Sequence, residues 1–564
     1  MIVSKKLTLG CLIISVVLLH NLGQALDAFQ FIGLGYNLLL GNPDGGDLHL
    51  VGVDPGIKTT RHILQLSDDT KKNLIVTDGI SNCDPHNTTS IFYGPKSYQD
   101  YLLGDIVTYG PGDSGVLPFA FSKSTLFQDI EHRTTANHDV FRDIITVCNS
   151  GRTRYVMPPM YPNLHHVSDE FISEVCHLPT EYDKDAYKQF LDTWGTHVII
   201  GVDIGTKSVT RYEQSIAQLA EILLSHDIGV GSVKLESYMG YGSVVHLNVS
   251  NLHHDDYFRI QGGQVDASDN IGNGSSPQPI AYKMATIANF MDDNFWSNAS
   301  QQSQNCAEGA SYYLPRWRNN TIRALMEYPA LNGRTLPPVD PDIKIPVTWP
   351  HGTYGLCKPR VGCPTSPLGW AEGWNRQDAE DTTNDNYWTP DIHLAGSMEH
   401  NKPVFYYCMK TTDENSEYER NWPSGNYCIL KRGNCPTGFT SGSIFWDDED
   451  TSTDNGHGGS LPDGAFNSNT RIDYCCRSDG FSRKPILLPV DHQFYLFRYT
   501  STCQEVFGMT VKEEIFTMDT EDLSNKDYCS GAHPYNPHCD RNHELHYCYY
   551  EKQAAQSFPS VIFG

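Results

Sequence analysis

Three stretches of this 564-residue sequence place reactive side chains close together. Gly112-Asp113-Ser114-Gly115 imitates the segment around a serine-protease nucleophile, but Val116 follows it and no recognisable histidine segment precedes it. His543-Glu544-Leu545-His546 sets its histidines three apart, which misses the i, i+4 spacing of the zinc motif H-E-x-x-H. The third stretch, Trp446 followed by Asp447, Asp448, Glu449 and Asp450, joins an aromatic face to carboxylates. Those two group types hold a sugar by its C–H surface and by its hydroxyls. With Trp370, Trp374 and Trp422 they form a set of candidate glycan contacts. The acidic run also offers oxygen ligands to a hard cation such as calcium, without the spacing or the glycine of an EF-hand loop. No phosphate-binding loop or complete G-x-G-x-x-G is present. The sequence therefore reads as a binding protein and not an enzyme, with no cofactor or metal expected beyond that calcium option.

The chain opens with Lys5 and Lys6, an apolar run and Gly23-Gln24-Ala25, a pattern expected of a secretory leader over residues 1–25. Of sixteen cysteines, Cys11 would leave with it. Cys83, Cys148, Cys176 and Cys306 lie in the first part of the chain. Cys357, Cys363, Cys408, Cys428, Cys435, Cys475, Cys476, Cys503, Cys529, Cys539 and Cys548 crowd into the rest. In an oxidising compartment such density reads as a disulfide-stapled module, and an odd total leaves one free thiol or one bridge to another chain. Sequons at Asn87, Asn248, Asn273, Asn298 and Asn319 are glycosylation candidates expected in surface loops. The net charge of -26 argues against nucleic acid and against unaided attraction to anionic lipid. Any membrane or cell-wall targeting must then rest on specific recognition.

The elements that would position these groups fall into two parts. Prolines 337, 338, 341, 346 and 350 mark an extended linker over residues 337–351, where cysteine usage also changes. Before it, residues 26–336 read as α+β. Residues 183–194 give a helix with Tyr187, Phe190 and Leu191 inward, followed by a buried strand over residues 198–204. Residues 213–224 give a second helical face, and residues 242–250 alternate as a strand with two unlike faces. After the linker, residues 352–564 alternate short aromatic strands with Gly, Pro, Asn and Asp turns, the pattern of a disulfide-braced all-β sandwich or barrel.

At the helix-to-strand junction Tyr187, Phe190, Trp194, Gly195, Thr196 and His197, with Gly205 in the strand beyond, resemble the signature of the membrane attack complex/perforin family. Residues 32–43 are similar to its opening strand and turn, and residues 259–265, with Gly262 and Gly263, to its paired-glycine segment. Thr206 replaces the second glycine of the signature pair, and Val198 replaces an aromatic. Bottom-up, a bent and twisted sheet needs strand positions free of a Cβ, and Gly205, Gly262 and Gly263 supply them. The resemblance implies a bent central antiparallel sheet of the kind also found in cholesterol-dependent cytolysins. It further implies two flanking helical clusters, here near residues 121–147 and 213–240, that refold after oligomerisation into membrane-spanning hairpins. A spanning strand takes about 9 to 11 residues, so each segment is long enough.

From residue 352 onward, residues 369–385, 422–450, 461–480 and 489–499 resemble the C-terminal domain of apextrin, which implies recognition of microbial surfaces and peptidoglycan-like glycans. The expectation is a secreted innate-defence protein or toxin that homo-oligomerises on a target membrane, with the second domain choosing the target. The alternatives are a non-lytic glycan-binding or egg-defence protein, or one subunit of a toxin joined by its unpaired cysteine to a lectin-like chain, as in perivitellin-like toxins.

Overall fold

The strand His197–Gln214 organises the first half of the chain because its composition changes midway. Its residues up to Gly205 are buried without interruption, as in a strand covered on both faces. From Thr206 onward burial alternates, with Lys207, Val209 and Arg211 inward and Ser208, Thr210 and Tyr212 half-exposed. The computed structural model describes residues 28–45, 54–79, 86–161, 163–225, 230–247, 263–272, 277–296, 306, 310–365, 369–379, 386–397, 402–413, 416–449, 452–500, 502–520 and 524–553. Two compact units result: Met1–Ile222 with His253–Pro341, and Leu223–Leu252 with Asp342–Gly564.

The strands in chain order are β1 (Leu34–Tyr36), β2 (Ile57–His62), β3 (Ile75–Gly79), β4 (His86–Phe92), β5 (Ile106–Tyr109), β6 (Val140–Tyr155), β7 (His197–Gln214), β8 (Val230–Lys234), β9 (Val244–Leu247), β10 (Gln264–Ile271), β11 (Gln278–Thr286) and β12 (Ile343–Pro346). The helices used below are α1 (Asp68–Leu74), α2 (Pro95–Leu103), α3 (Asp113–Val116), α4 (Thr125–Ala136), α5 (Asp169–His177), α6 (Lys184–Trp194), α7 (Ile216–Ser225), α8 (Asp293–Trp296) and α9 (Ala310–Leu331).

In the first unit β6 and β7 pair antiparallel from Val140↔Gln214 to Arg154↔Gly201. β3 and β4 follow one another along the free edge of β6, and β10 and β11 along that of β7. The sheet is thus a four-track antiparallel ribbon, extended by β1 on the start of β7 and by β5 parallel to β11. Helices cover it: α6 buries Tyr187, Phe190, Leu191 and Trp194 on one face, and its first turn is capped by the Asp183 carboxylate, which accepts from the Asp185 and Ala186 amides. The architecture is α+β, as the residue pattern and the family resemblance imply.

Register fixes where the ribbon ends. Phe92 pairs with Phe141, Val140 with Gln214 and Gln264 with Glu213, so β4, β6, β7 and β10 all terminate on one edge. The long connections 93–139 and 215–263 both leave from that edge. This corrects the expected cluster bounds. Residues 140–147 belong to β6, because they pair residue for residue with β7, and the first connection reaches back through α4, α3, β5 and α2. Among its described residues the second connection is helical through α7, after which β8 and β9 form a sheet with β12. The linker is corrected too: Ile343–Pro346 is a strand paired residue for residue with Val244–Leu247. For that reason residues 223–252 belong to the second unit, and the chain does not divide at a single point.

The rest of the second unit is all-β and antiparallel in its ladders. Cys363–Cys408, Cys428–Cys476, Cys435–Cys475, Cys503–Cys548 and Cys529–Cys539 brace it, most of them closing loops of 40 to 48 residues. Closing such loops constrains the unfolded chain and stabilises a small β module. Cys176–Cys306 ties α5 to the segment before α9 in the first unit.

Candidate functional site

The corner 194–197 is a clamp between the ribbon and the segments that lie on it. α6 ends because Gly195 turns to φ +94°, where an added Cβ would stand 2.7 Å from the Tyr36 backbone. Thr196 N and Oγ1 both donate to the Tyr36 carbonyl, at 2.9 and 3.2 Å, and Thr196 Oγ1 accepts from Leu38 N at 3.0 Å. His197, fully buried, donates from Nε2 to the Asp113 carboxylate at 2.8 Å, and its Nδ1 lies 2.9 Å from Thr196 Oγ1. Trp194 packs edge-on against Phe171 with Arg61 over its ring, and the Tyr187 hydroxyl donates to Pro179 O. Gly205 sits where the backbones approach: a Cβ there would meet Cys148 O at 2.0 Å, beside the β6 bulge at Asn149 to Gly151. Gly263 has φ +88° and closes on Glu213 O, while Gly262 lies outside the described residues.

Asp113 belongs to the connection 93–139, so His197 is one of several groups that fasten this segment to the ribbon. Lys207, on the inward face of β7, bonds Asp105 at 2.8 Å and Asp44 at 2.7 Å. Arg211, four residues further along the same face, makes a two-pronged pair with Asp143 at 2.9 and 2.7 Å and lies over the rings of Phe92 and Tyr98. Burial alone would lower the Lys207 pKa, but Asp44, Tyr101 and Asp105 drive it well above the usual ammonium range. Burial likewise opposes the charge on Arg211, which Asp143 and Tyr98 more than offset. Burial pushes the Asp143 and Asp105 carboxyls up, against the pull of those cations. Toward the edge, Arg133 of α4 holds Asp266 with two bonds of 3.1 and 3.2 Å and Glu213 at 2.8 Å, and stacks over Phe141. None of these charges was singled out from the sequence. Lys207 and Arg211 are in phase with Val209 on the buried face of β7, and cations in an apolar phase signal buried partners.

In the second unit the glycan candidates separate. Trp422 and Trp446 are enclosed, Trp422 among Tyr354, Tyr427 and Phe439 and Trp446 against His543. Asp447, Asp448 and Glu449 are also buried. Asp447 accepts from Asn469 Nδ2 and Lys526 N, both within 2.9 Å, and Asp448 accepts from Thr470 Oγ1 at 2.6 Å and Asn455 Nδ2 at 2.7 Å. Burial pushes the Asp448 carboxyl up to about 7. These five residues build a turn and a core and are out of reach of a surface glycan; Asp450 lies outside the described residues. Trp370 and Trp374 are half-buried, Trp374 lying across Gly456 and Gly458 and Trp370 edge-on against Trp349. For a cation, the ligand atoms that converge among the described residues are Cys529, His533 and Cys539, and the two sulfurs there already bridge each other.

The remaining candidates take structural places. Ser114 is exposed in α3 while both nitrogens of His197 are engaged, so the Gly112 to Gly115 segment forms no nucleophile pair. His543 Nε2 donates to Phe445 O and His546 lies between Glu513 and Glu544. Cys357 is the free thiol among the described residues, enclosed with Tyr407, Tyr474 and Tyr547, and burial raises its pKa far above the thiol range. A bridge from it to another chain would require that core to open. Cys148 is disulfide-bonded, and Cys83 lies outside the described residues. Asn87 and Asn319 are exposed, on β4 and α9 and not in loops; Asn248, Asn273 and Asn298 lie outside the described residues.

A model of the MAC/Perforin domain matches residues 21–323 and a model of the C-terminal domain of apextrin matches residues 349–550. No curated protein matches the chain. Similar solved structures include a cell invasion protein with MAC/Perforin domain from Bacteroides thetaiotaomicron, at 8% identity and TM-score 0.26 over 59% of this chain and 63% of that one. This chain thus spans less than two thirds of that protein. GNIP1Aa from Chromobacterium piscinae matches at 10% identity and TM-score 0.27 over 88% of each chain. Astrotactin-2, a vertebrate perforin-like membrane protein, matches at 8% and 0.25 over 89% of this chain and 71% of that one. The MAC/Perforin match alone takes in more than half of the sequence, and the chain belongs to the MAC/Perforin family, with the C-terminal domain of apextrin following that domain.

Proposed function

We propose that this is a secreted pore-forming defence protein or toxin. Copies assemble on a target membrane, residues 93–139 and 215–263 leave their places, and each completes the ribbon as a transmembrane hairpin. The observation that carries this reading is the shared edge at which β4, β6, β7 and β10 end, since strands extended from it by both connections would run side by side. Each connection exceeds the roughly 20 to 25 residues that a two-strand hairpin needs. No helix among the described residues is long and apolar enough to cross a membrane. The second domain positions the protein by binding glycan.

A pair of cysteines at the facing positions His246 and Lys344 tests the conversion, because antiparallel partners lie within disulfide reach. Dye release from liposomes and ring imaging should fall in the oxidised H246C/K344C protein relative to either single variant. Full leakage by the locked protein, or absence of leakage and rings from the wild type on every target membrane tried, would refute the proposal. One observation favours the second reading, a non-lytic glycan-binding protein: residues 230–247 are already built into a folded sheet with β12. Binding of the whole chain to peptidoglycan without any lysis would select it.

A further inference from the structure

The second unit contains a cavity of about 300 Å³, within the size range of small-molecule sites. One wall is Trp349, Trp370, Thr365, Lys410, Glu419 and Asp491. The other is the loop Gly240, Tyr241 and Gly242, which joins β8 to β9 and is part of the connection 215–263. Ser243 sews this loop down: its hydroxyl donates to Asp491 Oδ1 at 2.8 Å and accepts from Val490 N at 3.1 Å. Tyr241 adds an edge-on contact with Tyr418.

The lining specifies a class of ligand. Lys410 and Glu419, both buried, neutralise each other at 3.1 Å, and the Lys410 ammonium is spent on the carbonyls of Gly352, Thr412 and Asp413 as well. The wall therefore offers no spare cation to an anion. Asp491 has no cation partner among the described residues and accepts from Ser243 and Thr365 alone. A carboxylate has about four acceptor sites, so it can take further donors. Aromatic faces beside open acceptors and no free positive charge suit a neutral, hydroxyl-rich ring.

We infer that this cavity binds a neutral saccharide, and that its occupancy holds the 230–247 segment in place. The inference rests on the reading of the second domain as a glycan binder and gives that reading a site and a consequence. A ligand that touches both walls binds the docked segment and has lost half its contacts once the segment leaves. By linkage it must stabilise the docked state. Free sugar is thus a restraint on insertion and not its trigger.

The test uses the full chain, with glucose, N-acetylglucosamine and glucuronate as probes. Tryptophan fluorescence should change saturably with at least one neutral sugar and not with glucuronate, and hydrogen exchange over residues 230–247 should slow when the site is filled. D491N should weaken binding about tenfold, the loss of a hydrogen bond to a charged acceptor. W370A should abolish it, and Y241A, on the loop, should weaken it and remove the contact with Tyr418 while leaving the strands of the β module paired. The inference is overturned if neither neutral sugar binds, if glucuronate binds equally well, or if binding leaves exchange over 230–247 unchanged. Sedimentation with insoluble peptidoglycan separates the two failures. Wild type and W370A pelleting alike, with no free-sugar binding, would sink this site and leave the glycan reading standing, whereas no pelleting of wild type would sink that reading itself.

Discussion

Arg133→Met isolates the outer fastening of the first connection. Methionine keeps an aliphatic stem over Phe141 and removes the charge that Asp266 and Glu213 share. The Arg133 side chain is 18% exposed, so its bonds are only partly screened by water. Charge-assisted hydrogen bonds of this kind contribute about 1.5–3 kcal/mol, and their loss also leaves two carboxylates facing each other, so local opening of α4 should become easier by about 2–3 kcal/mol. At about 1.4 kcal/mol per factor of ten, that is roughly a 30- to 100-fold rise in the open population. Hydrogen exchange measured under native conditions reads it directly: amides of 125–136 should lose protection by that factor while those of the C-terminal strands keep theirs. Added salt should reproduce part of the loss in the wild type and little more in the variant. Dye release from target liposomes should start sooner. Unchanged protection across 125–136, with or without a drop in overall stability, would refute the idea that Arg133 is a latch.

Lys207→Met should cost about 3–5 kcal/mol in denaturant unfolding of the first unit, because the buried Asp44 is left with the more distant Arg211 at 3.8 Å and the partly exposed Asp105 loses its cation; a loss under about 1 kcal/mol would show that water reaches them. Asp448→Asn should stabilise the protein by about 2–4 kcal/mol above pH 7 and have no effect below about pH 4. The sign follows from a folded-state pKa near 7, raised by burial from the ordinary 3.8: stability falls as pH rises through that window, and the neutral amide removes the fall. Thermal melts at pH 4 and pH 8 check it, and equal shifts at both would contradict it. Gly205→Ala should prevent β6 and β7 from closing near the bulge, since its Cβ would stand 2.0 Å from Cys148 O; wild-type melting of the purified variant would disprove this. The Cys357 thiol should resist a thiol reagent until the β module unfolds, and rapid native-state labelling would contradict its enclosure.

What could be read from residues was what local pattern encodes. The apolar face of α6, the glycine that stops it and the β-branched run after it are consecutive, so the corner 194–197 and its strand were legible. Lys207, Arg211 and Arg133 escaped because their partners come from distant segments, at Asp44, Asp105, Asp143 and Asp266, and no spacing rule links them. Residues 230–240 fall in the expected helical cluster because α7 precedes them with helical periodicity, whereas the alternation over 242–250 already marks β9. What stays hidden is the partner of β9: β12 is contributed across a gap of about a hundred residues by a stretch whose prolines disguise it. Trp446 and the acids beside it misled for a related reason: an aromatic next to carboxylates looks like a sugar site, but Asn455, Asn469 and Thr470 come back across the fold to satisfy those oxygens internally.

The two connections are held by unlike devices, and under the proposed conversion the difference decides which face of the ribbon would meet water. Arg211 and Asp143 are cross-strand partners of β7 and β6, so their pair stays whole when the first connection departs. Lys207 is otherwise placed: Asp105 leaves with the connection, and only the loop acid Asp44 remains. An ammonium stripped of a partner is tolerated in water and is costly against lipid or an apolar neighbour. The face that carries Lys207, now covered by α2 and α4, must therefore turn toward an aqueous lumen in any assembled ring, and Ser208, Thr210 and Tyr212 must turn outward. Among its described residues the second connection carries partly exposed ion pairs in place of a buried cation: Glu236 pairs with Lys344 at 3.1 Å, and His246 lies between Glu236 and Asp342. This connection must also break a β ladder with β12, whose hydrogen bonds respond weakly to salt. A ring that showed the Lys207 face buried against protein would contradict this assignment of faces.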